Sequence, residues 1–172
     1  MQGWTPNLSW LQPDLAVGGS FPAEKAEVLV AEYEIGAVVD LRSEDCDDAE
    51  VLEQCGVWFL HLPTPDMSGA SQEMLDEGVN FAGVAALAQR RLLIHCLHGI
   101  GRSATLALCV LVDRGLAPAE ALLLAKDARA LVSPSEAQYR AWASWLARRG
   151  KGPIPSYHEF GVVAYRRLPQ DG

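Results

Sequence analysis

Basic charge is what this chain has least of. Fourteen lysines and arginines face twenty-two acidic residues, for a net charge of −8. No broad positive field is therefore available to hold nucleic acid or an anionic membrane, although a local pocket can still be positive. Long apolar runs are missing too: the longest, Ala104 to Val112, is too short to span a bilayer. Nothing near Met1 reads as a charged segment followed by an apolar one, the pattern of a secretory leader. Cysteine is scarce, and Cys46, Cys55, Cys96 and Cys109 show no paired metal spacing. There are no internal repeats and no low-complexity tracts. The expectation is a cytoplasmic monomer in a reducing setting, with no membrane or nucleic-acid partner.

What is present describes a single globular unit. The chain has 172 residues, 49% apolar and 21% charged, enough to bury a sizeable core. Leu8–Leu11 and Leu15–Val17, split by Gln12-Pro13-Asp14, read as an edge hairpin ended by Gly18-Gly19. A helix begins near Phe21 with Pro22 in its first turn and is expected to stop at Gly36. Ala37–Leu41, Val57–Leu62 and Leu92–Ile94 read as buried strands, with helices over 47–54 and 71–89 between them. From Ser103 a helix that is apolar nearly all round should be the buried one. Two more follow, from Pro118 and from Ser135. Beyond Gly150 the run Phe160-Gly161-Val162-Val163-Ala164-Tyr165 suggests one docked strand. Strands alternating with helices, then helices alone, imply an α/β fold: a central, mostly parallel sheet with helices on both faces. Ligands of such sheets bind beyond the carboxyl ends of the strands, where Asp40-Leu41-Arg42, the loop after Leu62 and the loop after Ile94 all emerge.

The third of those loops carries the chemistry. In His95-Cys96-Leu97-His98-Gly99-Ile100-Gly101-Arg102-Ser103 a strand ends, a loop with two glycines follows, and a helix starts. Backbone N–H groups of a tight loop entering a helix converge on one point and bind an anion. Arg102 adds a planar fork that fits two phosphate oxygens. Cys96 then lies beneath the phosphorus in a positive field, where cysteine pKa values fall to roughly 3.5–7.5. A thiolate so placed is a nucleophile for phosphoryl transfer.

The pattern His95-Cys96-(five residues)-Arg102-Ser103 resembles the signature of cysteine-dependent protein phosphatases. The element lengths resemble the small atypical dual-specificity branch, and the resemblance runs from about Trp4 to Arg149. It implies a phosphatase domain over 1–149, with 150–172 as an extension packed on it or partly mobile. It further implies that Cys96 forms a phosphocysteine, that Arg102 grips the phosphate, and that Ser103 hydrogen-bonds the sulfur. The N–H groups of Leu97, His98, Gly99, Ile100, Gly101 and Arg102 complete the cradle, and His95 supports it. The family draws a general acid from a loop about thirty residues upstream. Asp66 lies there, with Asp76 and Asp40 as rivals. Gln138, near the start of the helix after Ser135, is expected near the phosphate or solvated in the first turn. Arg42 is expected in a surface salt bridge. Many relatives carry an Arg-Pro pair where this chain has Arg129-Ala130, so loop support is expected to differ.

Other readings fit less well. Gly99-Ile100-Gly101-Arg102-Ser103-Ala104 matches a dinucleotide fingerprint, but that motif needs a following strand and an acid about twenty residues on. Asp113 comes too early, and Pro118 opens a helix. His61, His95, Cys96 and His98 do not form a metal set, because His95 and Cys96 point to opposite faces of a strand; no metal and no cofactor is expected. A sulfurtransferase would not need Arg102-Ser103 or Asp66. Cys109 reads as core, while Cys46 and Cys55 are candidates for a redox pair. The expected substrate is a phosphorylated protein or peptide, on tyrosine and also serine or threonine, since the loop lacks the lysines of phosphoinositide-specific relatives. The alternatives are a phosphate-binding module without turnover and a phosphatase of non-protein phosphomonoesters.

Overall fold

Two apolar faces of one sheet account for the architecture. In the computed structural model, which describes residues 3–166, strands β1 (Leu8–Gln12), β2 (Leu15–Gly18), β3 (Ile35–Arg42), β4 (Trp58–Thr64) and β5 (Arg91–His95) form one sheet in the order β1-β2-β5-β3-β4. Only the β1–β2 pair is antiparallel. The central strands β5 and β3 are apolar on both faces because side chains alternate. Ala16, Val38 and Leu93 join one core with Leu29 of helix α1 (Ala26–Tyr33) and Leu52 of α2 (Ala49–Gln54). Val17, Val39 and Ile94 point the other way. They meet α3 (Gln72–Leu87), α4 (Arg102–Asp113), α5 (Pro118–Ala128) and α6 (Glu136–Arg148).

Helix α4 is the axis of the larger core. Every residue from Arg102 to Val112 is buried, as its continuous apolar run requires. Gly78 of α3 lets it approach: a Cβ there would lie 2.6 Å from Leu106. Trp142 and Trp145 of α6 are fully buried against the same side. Helix α5 follows α4 where a dinucleotide fold would need a strand.

Two local expectations are corrected. Helix α1 does not stop at Gly36. It follows a 3-10 turn (Ala23–Lys25) and ends at Glu34, which takes a left-handed φ of 56° and returns its N–H to Leu29 and Val30. Gly36 lies inside β3, where the Arg90 side chain crosses it at a distance that leaves a Cβ only 3.2 Å. The stretch expected as a C-terminal strand is helix α7 (Tyr157–Ala164). Ser156 and Glu159 form a reciprocal capping box at its start. Phe160 and Ala164, four apart and therefore on one face, are fully buried. The ring of Phe160 lies 4.9 Å from Tyr139 and 6.0 Å from Trp142. Residues 167–172 of the expected extension lie outside the described residues. Phe160→Ala should lower unfolding stability by about 3 kcal/mol, as loss of a buried ring does; a urea transition that stays at the native midpoint would mean that α7 is not docked.

Candidate active site

The loop after β5 is held open by its outer side. Every carbonyl from Cys96 to Gly101 has a partner away from the loop's centre. His95 Nδ1 donates to Cys96 O at 3.1 Å and Ser20 N to Leu97 O at 3.0 Å. Arg129 Nη2 donates to His98 O at 2.8 Å and Arg129 Nε to Gly99 O at 2.8 Å. Ser133 N donates to Ile100 O at 2.8 Å, and Thr105 Oγ1 to Gly101 O at 2.8 Å. With the carbonyls turned out, the amides turn in. The backbone needs glycine at two points. Gly99 has φ +68°, and a Cβ there would lie 2.6 Å from the Gly18 carbonyl; a Cβ on Gly101 would lie 2.3 Å from Gln138 Oε1.

Cys96 sits inside this ring of amides, 3% exposed. Burial pushes its thiol pKa up, but the Ser103 hydroxyl and the N–H groups of Ser103, Gly99 and Ile100 pull it down further, and the net shift is downward. Ser103 Oγ lies 3.2 Å from the sulfur. The structure thus brings Cys96, Ser103 and the loop Leu97–Gly101 together, as the sequence expects. Leu97 and Ile100 are partly exposed at its rim.

Arg102 is 4% exposed and anchored on its far side. Nη1 donates to Glu44 Oε1 at 2.5 Å and to Thr64 O at 2.9 Å; Nη2 donates to Glu44 Oε2 at 3.0 Å. A guanidinium has five N–H bonds, so Nε–H and one Nη2–H remain, the pair that makes a fork for two oxygens. Glu44 was not singled out by the sequence, although it lies two residues beyond β3 at the catalytic edge. Asp66 lines the same small cleft, of about 180 Å³, with Met67, Cys96, Arg102, Ser133 and Gln138. Its carboxylate is 3.7 Å from Arg102 Nη2 and mostly exposed.

The rivals of Asp66 are occupied elsewhere. Asp76 pairs with Arg148 and Arg149 and accepts from Trp145 Nε1. Asp40 is fully buried beneath the loop, bonded to Arg42. Gln138 is 2% exposed rather than solvated. It caps α6, receiving Ser135 N, and its Nε2 donates to Ser68 O. Arg42 makes more than a surface salt bridge: it is buried between Asp40 and Asp47 at 3.0 and 3.2 Å, and only its pair with the exposed Asp45, at 3.3 Å, reaches the surface. The register pairing Asp40 with His95 across β3 and β5 brings these charges together. The missing Arg-Pro pair does not remove loop support, since Arg129 alone holds two loop carbonyls and also Asn7 and Ser9.

His95 is buried between two acceptors that favour its charged form. Its Nε2 lies 2.5 Å from Asp47 Oδ2 and its Nδ1 faces the Cys96 carbonyl. Both partners are acceptors, so both ring nitrogens must donate. Burial lowers the His95 pKa, but Asp47 and then Asp40 raise it, and the net shift is upward. Asp40, Asp47 and His95, like Asp40, Cys46 and His61, bring potential ligand atoms within 4.8 Å of each other. In both sets Asp40 is already bonded by Arg42 through two oxygens, so a cation would have to displace a guanidinium. These are charge networks in hydrogen-bond balance. Cys46 is a free thiol whose pKa is raised by burial and by Asp40 and Asp47, which makes it a poor thiolate.

Strand, amide-lined loop, buried cysteine, arginine and the Asp66 carboxylate on a facing loop thus meet at one cleft. A family model described as "Polymorphic toxin system, DSP-PTPase phosphatase" matches residues 17–116, more than half of the chain, and the chain belongs to that family. It is 26% identical over 151 residues to mouse dual specificity protein phosphatase 8, covering 76% of this chain and 21% of that protein. The human form is 36% identical over 83 residues, covering 47% of this chain and 13% of that protein. The chain thus spans about a fifth or less of the length of these curated relatives. Among solved structures, the active form of Tk-PTP superposes with a TM-score of 0.76 at 26% identity, covering 83% of this chain and 98% of that one. PTPMT1 in complex with PI(5)P (TM-score 0.76, 20% identity, 83% and 98% covered) and human DUSP28 (0.71, 22%, 87% and 99%) share the fold.

The raised His95 pKa gives a pH test. A group whose folded pKa lies above its unfolded value of about 6.5 contributes fully below that value, and the contribution is lost as pH rises through the folded pKa. Asp47→Asn should therefore flatten the decline in stability above pH about 6.5. The lowered Cys96 pKa acts in the opposite sense over part of that range, so the difference between the two proteins carries the test. Denaturation midpoints that run parallel across the range would show that His95 is not charged.

Proposed function

We propose that this chain hydrolyses phosphomonoesters on proteins through a phosphocysteine intermediate. The observation that carries this reading is the buried Cys96 sulfur, with its pKa lowered by the Ser103 hydroxyl and then by loop amides, beside an arginine with two N–H bonds that find no hydrogen-bond partner among the described residues. The thiolate attacks phosphorus as the ester oxygen departs. The N–H fork of Arg102 and the loop amides stabilise charge on the three equatorial oxygens. Asp66 protonates the leaving oxygen and then accepts a proton from the water that cleaves the phosphocysteine. Ser103, bonded to the sulfur, eases its departure as a thiolate.

The small cleft favours a phosphoryl group with little depth beyond it, so aryl and alkyl esters both fit. Of its exposed rim residues, Met67, Leu97 and Ile100 are apolar and Asp66 is acidic, with His98 beside them and no lysine, which suits protein phosphotyrosine, phosphoserine or phosphothreonine better than a polyanionic inositol phosphate. The family description supplies a setting that we extend to this chain: a phosphatase of a polymorphic toxin system, working in a reducing cytoplasm where its thiolate survives.

With p-nitrophenyl phosphate, Cys96→Ser should reduce turnover to background while orthophosphate still binds. Binding without turnover by the native chain would instead identify a non-catalytic phosphate module. Asp66→Asn should cost about 10²-fold in kcat/KM with phenyl phosphate and clearly less with p-nitrophenyl phosphate, whose leaving group needs no proton. An equal loss on both would move the acid role to another residue.

A further inference from the structure

The segment between α5 and α6 touches both catalytic loops. Ser133 N donates to Ile100 O of the phosphate loop, and Ser135 Oγ donates to Met67 O beside Asp66 at 2.7 Å. Met67 itself has a left-handed φ of 64°, a conformation that a non-glycine side chain keeps only where its surroundings fix it. The wall 132–135 thus sets the spacing between the thiolate's loop and the acid's loop.

The same wall is held from behind by α7. Lys126 of α5, 4% exposed, donates to Val132 O at 2.7 Å and to Ala164 O at 2.8 Å. The second acceptor lies in the last turn of α7, where helix carbonyls lack partners within the helix. Tyr165, the residue that closes α7, donates its hydroxyl to Pro134 O at 2.6 Å. Tyr139 of α6 donates to Pro155 O just before α7. Val132 and Pro134 are therefore fixed from the α7 side, while Ser133 and Ser135 between and after them are fixed to the catalytic loops. Held on both sides by these bonds, the segment is a two-sided strap.

We propose that Tyr165 and Lys126 are positioning residues: through Pro134 and Val132 they hold the wall that spaces Asp66 from the phosphate loop, so that α7 belongs to the catalytic unit. This rests on the phosphatase reading above, with Asp66 as the acid. Neither residue touches substrate. Their effect falls on the geometry of proton delivery and of the oxyanion bowl.

A double-mutant cycle tests it in the full chain, with Tyr165→Phe on the α7 side and Ser135→Ala on the acid-loop side. Tyr165→Phe should lower kcat/KM for phenyl phosphate by about threefold to tenfold, the factor that one hydrogen bond of positioning represents. The loss with p-nitrophenyl phosphate should be smaller. The two substitutions should be non-additive by at least about threefold, since they act on one strap. A Tyr165→Phe protein with a lowered melting temperature but an unchanged ratio of the two substrates would overturn the proposal and leave a structural role only. Additive effects would overturn it equally. Lys126→Met should repeat the Tyr165→Phe pattern; if it does not fold, the tyrosine cycle decides alone. Orthophosphate affinity is measured on the same four proteins. Absence of turnover with coupled phosphate affinities would sink the catalytic reading and keep the strap, whereas turnover with uncoupled effects would sink the strap alone.

Discussion

A buried sulfur whose pKa is drawn down rather than up is the constraint on which the rest depends. Cys96 lies almost wholly out of solvent, and that alone would favour the neutral thiol. The shift goes the other way because hydrogen-bond donors replace the lost water. Those donors are mostly backbone, so the loop can supply them only if its carbonyls all turn outward, and six consecutive carbonyls do. Gly99 and Gly101, the Arg129 side chain and the close approach of Gln138 all follow from keeping that inside-out backbone in place.

Beneath the loop a second balance operates. Arg42 is a cation in a dry interior and the charged form of His95 is favoured there, because Asp40 and Asp47 lie against both. Removing one member would strand the others, which is far costlier than the network's net contribution to stability. What the network supplies is placement: Asp47 orients His95, and His95 holds the Cys96 carbonyl from behind. Above the loop, Glu44 does the same for Arg102, occupying the outer edge of its fork so that the inner edge faces the bowl. In both cases a carboxylate positions the Cys96 loop or its arginine through a basic side chain that it holds.

The sequence revealed the parts of this that are contiguous. Strand β5, the loop and helix α4 form one run of chain, so their residue types and spacing carry the geometry with them, and the parallel sheet followed from alternation. The position of Asp66 in the Cys96 cleft was legible because it follows β4 by two residues, at the carboxyl end of that strand. The charge network was not, since it joins β3, the turn before α2 and β5, and only the Asp40–His95 register brings them together. Arg129 was noticed as a departure from an Arg-Pro pair, but its grip on His98 and Gly99 crosses some thirty residues. Helix α7 was misread because Val162-Val163 suggests a strand, while the signal that decides it, Ser156 with Glu159 and then Phe160 and Ala164 on one face, spans nine residues and outweighs two β-branched ones.

The most direct measurement is the mass of the acid-quenched protein during turnover of a phosphorylated substrate. One phosphoryl group on the peptide that contains Cys96, appearing and decaying at rates that match turnover and absent from Cys96→Ser, is the expected result. Steady hydrolysis with no phosphoryl group on that peptide at any quench time, or with the group on another residue, would contradict the amide-bound sulfur as the centre of this molecule.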